Sequence, residues 1–200
     1  MSDQALSEQR STTEKGLARR EAILEAATTL FYQHGYHATG IDDIGRRAGI
    51  TGPGIYRHFD GKDAILVTIF DRLWRRLEST IAESQALEPR AGLDLLISNH
   101  VNLVVDRRAE VVLLLNDLRS LPADYLALAQ ENDAVYQRAW AGHIGAIHTA
   151  LTSDEASVGA RSAIWLITAY DQGAGPQDLD PVRAKGLLTT MANAAVDSLA

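Results

Sequence analysis

Residues Thr51–Lys62 read TGPGIYRHFDGK, a proline between two glycines followed at once by tyrosine, arginine, histidine and phenylalanine. Glycine and proline cost about 1 and 3 kcal/mol inside a helix, but these penalties are small in a first turn, where the proline N–H is not needed. The stretch therefore reads as a helix start, with the helix running from Pro53 to Phe59. Upstream, Gly49-Ile50-Thr51 separates it from a second short helix ending at Ala48, with Gly49 as its stop. Two short helices joined by such a turn make a helix-turn-helix, whose second helix lies in a major groove of DNA. Ile55 and Phe59, four residues apart, pack inward, while Thr51, Pro53, Tyr56 and Arg57 can face a nucleic acid.

Helical periodicity extends outward from this point in both directions. Ile23, Ala26, Ala27, Leu30 and Phe31 mark a first helix from about Gly16 to His34, stopped by Gly35. Thr39, with Asp42 three residues on, resembles a capping pair opening the second helix. A helix starting near Lys62 carries Ile65, Ile69, Leu73, Leu77 and Ile81 on one face and is long enough to act as a strut. Beyond Pro89 come the stripe Leu93, Leu96, Ile97, His100, Val101, Val104, Val105, then Val111–Leu118, then a long helix from Pro122 to about Leu151. Ser153 can cap the next helix, which contains AIWLITAY, Ala163–Tyr170, apolar nearly all the way round. GAGPQDLD over 173–180 is a loop, and Asp180-Pro181 fits an N-cap followed by a first-turn proline. No strand alternation or repeat is present in the sequence, so the expected fold class is all-α with about nine helices.

The chain has 200 residues, a formal net charge of −7 and no cysteine, which excludes disulfides, thiolate catalysis and cysteine-ligated zinc. The first fourteen residues are polar, and no apolar run approaches the ~20 residues of a membrane span, so a soluble cytoplasmic protein with no membrane partner is expected. The acidity is unevenly placed, with net −1 over residues 1–60 and −6 over the rest. Arg46, Arg47, Arg57 and Lys62 surround the docking surface, and Arg10, Lys15, Arg19 and Arg20 form a basic arm. Because non-specific affinity comes mostly from phosphate neutralisation, an acidic body suppresses indiscriminate DNA binding.

The segment GYHATGIDDIGRRAGITGPGIYRHFDGKDAIL, Gly35–Leu66, resembles the DNA-binding signature of the TetR family of bacterial transcriptional regulators. The resemblance covers about Ala18 to Leu66. It implies a three-helix head over 16–62 behind a disordered arm over 1–15, and a helical ligand-binding and dimerisation domain over 63–200, with helix 62–84 connecting the two. It further implies a homodimer on double-stranded DNA bearing an inverted-repeat operator, released by a small-molecule effector. Tyr56 and Lys62 then stand as phosphate contacts, with Thr39, Thr51 and His58 beside them, and Arg46 and Gly54 complete the DNA-facing set. Gly52, Pro53 and Arg57 face bases, Arg57 being the preferred specificity residue through two hydrogen bonds to guanine. Phosphate contact is the alternative for Arg57, and half-buried packing the alternative for Tyr56. Gly40 and Gly52 depart from the family pattern, the latter where a base-reading side chain is usual.

For the second domain the resemblance implies an effector region over about Gly92–Leu151. Its polar residues on inward-looking positions are Asn99, His100, Asn116, Arg119, Tyr136, Trp140 and His143, joined by Trp165 and Tyr170 from further along. Such a mixture suits an apolar or amphipathic ligand with a few polar anchors. Taken singly, His100 and His143 also read as satisfied core histidines, and Arg119 as a partner of Asp117 or a helix cap. LRSLP and YQRAW are loosely similar to TetR-like repressors of lipid and steroid degradation, some responsive to acyl-CoA thioesters; an aromatic effector is equally tenable. A four-helix dimer interface would use Ile164, Ile167, Leu187, Leu188, Met191 and Ala195, with intramolecular core as the alternative.

An enzyme is not expected and no cofactor is implied. His143 and His148 sit ~140° apart around a helix, a poor metal spacing, and no nucleophile motif, phosphate loop or HExxH occurs in the sequence. A contrasting reading is an effector-independent helix-turn-helix nucleoid or adaptor protein.

Overall fold

The structure is a computed structural model describing the backbone of residues 3–171 and 179–199 and the side chains of 14–170 and 179–199. Its described residues form nine α-helices and no strand, an all-α fold as expected. These are α1 Asp3–His34, α2 Ile41–Ala48, α3 Gly52–Ile55, α4 Lys62–Gln85, α5 Pro89–Asp106, α6 Arg108–Asp117, α7 Ala123–Ile147, α8 Ser153–Thr168 and α9 Pro181–Asp197. Short 3-10 turns follow α6 and α8. Residues 173–178 of the expected loop lie outside the described residues. The chain divides into two compact units, one ending at Phe70 and one beginning at Asp71.

In the first unit Ile23, Ala27, Phe31, Ile44, Ile55, Phe59, Ile65 and Leu66 are buried, and of the expected α1 stripe Ile23, Ala26, Ala27 and Phe31 are buried while Leu30 is half-buried. Gly49 ends α2 at φ 69°, a left-handed conformation for which glycine carries no steric penalty. The cap of α2 falls one residue later than expected. Gly40 is the N-cap, and Asp43 Oδ2 accepts from its N–H at 3.2 Å. Thr39 is instead buried, its hydroxyl donating to Gly35 O at 2.9 Å. Helix α3 is also shorter than the expected Pro53–Phe59. Thr51 caps it by accepting from Gly54 N–H at 3.3 Å, and residues beyond Ile55 continue as turns, with Phe59 N–H donating to Ile55 O at 3.0 Å. Residues 3–15, expected as a disordered arm, are helical. Extending an established helix fixes one residue per new hydrogen bond, and no proline interrupts the extension.

The second unit buries Leu93, Leu96, Ile97, Val104, Trp140, Ile144, Ala160, Ile167, Ala192 and Val196 between α5, α7, α8 and α9. Helix α7 stops at Ile147, short of Leu151, and α8 is capped by Thr152 rather than Ser153. The reason is a reciprocal box, in which Thr152 Oγ1 accepts from Glu155 N–H at 3.3 Å and Glu155 Oε2 accepts from Thr152 N–H at 2.7 Å. Asp180 caps α9 as its sequence suggests, accepting from Arg183 N–H at 3.1 Å. Ion pairs tie α9 to α5 at both ends, Lys185 to Asp106 at 2.6 Å and Arg90 to Asp197, with Arg90 also donating to Asn193 at 2.8 Å.

Candidate functional site

Helix α3 and the turn after it carry their outward residues on a base fixed from behind. Ile55 and Phe59 are fully or nearly buried, which leaves Thr51, Pro53, Tyr56 and Arg57 exposed and Gly54 and His58 half-buried. Tyr56 is 58% exposed, too much for a packing residue. Arg20 of α1, read from sequence as part of a basic arm, is a brace. Its guanidinium lies 4.0 Å over the Phe59 ring and donates to His58 O at 2.6 Å. Its position three residues before Ile23, on the apolar stripe of α1, is the signal that could have revealed this.

Lys62 stands at the start of α4 with its ammonium already engaged. Nζ donates to Tyr36 O at 2.7 Å and Thr39 O at 3.1 Å, and stands 4.3 Å over the Tyr36 ring. The Tyr36 hydroxyl donates in turn to the Asp63 carboxylate. Lys62 thereby pins the turn before α2 to the first turn of α4. Thr39, buried beneath the same turn, presents no hydroxyl to a phosphate. Arg46 is exposed and pairs with Asp43 at 3.0 Å; with Arg47, His34 and Thr39 it lines a surface groove of about 500 Å3. Gly52, expected to face a base, is buried, because the Asp42 side chain occupies the space a side chain at 52 would need.

In the second unit His100, Tyr136 and Trp140 meet in the core, their rings 5.7 to 6.0 Å apart. His100 Nε2 lies 3.0 Å from Thr168 Oγ1 and Nδ1 lies 3.2 Å from the Tyr136 hydroxyl. The Thr168 hydroxyl donates to Ile164 O at 2.8 Å, so it accepts from His100 Nε2–H, and Nδ1 accepts from Tyr136. The result is a directed chain from Tyr136 through His100 and Thr168 to a backbone carbonyl. Burial holds the His100 imidazole down at about 4 and pushes the Tyr136 phenol up. Thr168 was not foreseen; a threonine inside the apolar run AIWLITAY is the available signal.

The other expected effector residues do not join this cluster. His143 sits 3.3 Å from Ser84 Oγ, in space that any side chain at Gly92 would fill. Asn99 faces away, lining a polar groove of about 490 Å3 with Arg76, Asn102 and Arg107. Asn116 and Arg119 are exposed rather than inward, because Val111 and Leu113 take the buried positions of α6. Tyr170 is half-buried against the core. Trp165 is 50% exposed and points outward from α8.

The expected dimer residues divide in two. Leu187 and Met191 are 49% and 52% exposed, and Ile164 and Ala195 half-buried, whereas Ile167 and Leu188 belong to the intramolecular core. No helix among the described residues is long and apolar enough to cross a membrane.

Comparison with known proteins bears on both units. Residues 23–69 match the family model described as bacterial regulatory proteins, tetR family. The chain is 25% identical over 175 residues to the HTH-type transcriptional repressor KstR2 of Rhodococcus jostii, covering 82% of this chain and 85% of that protein. The solved ketosteroid transcriptional regulator KstR2 of Mycobacterium tuberculosis has a TM-score of 0.76 at 17% identity, over 90% of this chain and 94% of that one. FadR from Bacillus subtilis, solved in complex with stearoyl-CoA, has a TM-score of 0.67 at 20% identity, over 90% and 96%. At these identities the two structures show a shared fold.

Proposed function

The head belongs to the tetR family of bacterial regulatory proteins, and from that premise we propose that the chain is a ligand-responsive transcriptional repressor. Two heads of a homodimer bind successive major grooves of an inverted-repeat operator, about 34 Å apart or a multiple of that. The exposure of Tyr56 and Arg57 in the turn that follows α3, a segment braced from behind by Arg20, carries this reading. Arg57 reads guanine and Tyr56 contacts phosphate. The outward face of α8 and α9, with Trp165, Leu187 and Met191, supplies the dimer contact.

The effector is small and apolar or amphipathic, of the lipid or acyl-CoA kind. Similarity to KstR2 along most of the chain and the fold shared with a stearoyl-CoA-bound FadR support this class. An effector that prefers one conformation lowers operator affinity by its differential affinity for the two states, commonly ~1 to 3 kcal/mol.

Fluorescence anisotropy of the purified protein on its own upstream DNA, with a scrambled duplex as control and at two salt concentrations, tests the proposal. Tight, salt-sensitive, sequence-dependent binding by a dimer, weakened by stearoyl-CoA, is expected. Equal weak binding to both duplexes would favour a non-specific nucleoid or adaptor protein instead.

A further inference from the structure

A carboxylate stands where the recognition helix begins. Gly52 is the first residue of α3, and a methyl group on its Cα would overlap Asp42 Oδ1. Asp42 belongs to the first turn of α2 and is exposed, so its carboxylate lies against the start of α3, next to exposed Thr51 and Pro53. Its neighbour Asp43 has a local role, capping Gly40 and pairing with Arg46. No hydrogen bond or ion pair engages the Asp42 side chain among the described residues.

An ionised carboxylate can only accept hydrogen bonds, and DNA phosphates repel it. In the major groove the donors are the amines of cytosine and adenine, whereas guanine presents N7 and O6 and thymine O4, all acceptors. Adenine adds an acceptor, N7, beside its amine, which suits an amide rather than a carboxylate. Cytosine is therefore the base an aspartate selects, and guanine the base it excludes most strongly.

We infer that Asp42 is a specificity residue, accepting from the N4 amine of a cytosine in each half-site from the space beside Gly52 that its carboxylate occupies. This rests on the operator-binding reading above. Base contact at the start of the recognition helix then comes from α2, and the absence of a side chain at position 52 is what admits it.

The test is selection of bound duplexes from a randomised inverted-repeat pool by the wild-type dimer, Asp42→Ala and Asp42→Asn. Anisotropy titration of all four bases at each half-site position follows. Wild type should prefer cytosine at one position, with a wrong base there weakening binding about ten-fold. Asp42→Ala should bind all four bases alike at that position and keep every other preference. Asp42→Asn, nearly isosteric and so safe for the fold, should move the preference to adenine. Variants that select the wild-type base at every position would overturn the role of Asp42 and leave operator binding standing. A wild-type pool with no enriched motif would overturn operator binding itself, and this role with it.

Discussion

The guanidinium of Arg20 lies 4.0 Å over the Phe59 ring and holds the His58 carbonyl at 2.6 Å, which fastens α1 to the turn that follows α3. Arg20→Ala removes a cation–π contact and a partly buried charged hydrogen bond, together about 1 to 3 kcal/mol. Chemical denaturation should show that loss, and operator titration should show weaker binding with base preferences unchanged. Unchanged stability in Arg20→Ala would mean that the brace carries no load.

Lys62 separates two roles that sequence alone leaves merged. Removing a phosphate contact reduces the slope of log affinity against log salt by about 1. With the ammonium engaged by Tyr36 O and Thr39 O, Lys62→Ala should lower thermal stability and affinity yet leave that slope nearly intact. A slope reduced by a full unit, with stability unchanged, would make Lys62 a phosphate contact.

His100 should give the second unit a measurable acid sensitivity. Its folded value of about 4 lies below the ordinary 6.5, so the unfolded chain binds more protons between the two. Stability is full above about pH 6.5 and falls as pH drops toward 4, by on the order of 2 to 3 kcal/mol. His143, also lowered by burial, adds in the same direction. Urea denaturation at pH 7.5 and pH 5 should show a smaller acid loss in His100→Gln than in wild type. Parallel losses would exclude His100 as the source.

Leu187 and Met191 are exposed on α9 while its opposite face, with Ala184, Leu188 and Ala192, is buried. A double Leu187→Glu, Met191→Glu variant should remain folded and become monomeric, read by light scattering. It should lose operator affinity by more than ten-fold, since one head reads only a half-site. A variant that stays dimeric would place the interface elsewhere.

Helix existence was legible because burial imposes a period, and most of each expected stripe of α1, α4 and α5 is buried, with Leu30, Leu77 and Val105 half-buried. Cap positions were less legible. Thr39 and Ser153 have the chemistry of caps, but competing partners decided the outcome: Thr39 bonds Gly35 O and Leu30 O from inside the fold, and Thr152 has Glu155 at the right spacing. The exposure of Tyr56 and Arg57 was readable because an apolar pair four residues apart fixes the opposite face. Lys62 and Gly52 were not, since their partners Tyr36 and Asp42 are distant in sequence. In the second unit, inward direction on short α6 could not be read from a stripe that is apolar on several sides, so Asn116 and Arg119 were misplaced.

The directed chain from Tyr136 through His100 and Thr168 to Ile164 O joins α7, α5 and α8. Because its last proton is committed to a backbone carbonyl, every donor along it has one assigned acceptor. Apolar surfaces tolerate small slips, since one methyl contact replaces another. This polar thread does not: sliding any of the three helices breaks a hydrogen bond between buried groups. Three helices that could otherwise drift past one another thereby acquire a single register, and movement between them becomes a step from one setting to another rather than a continuous adjustment.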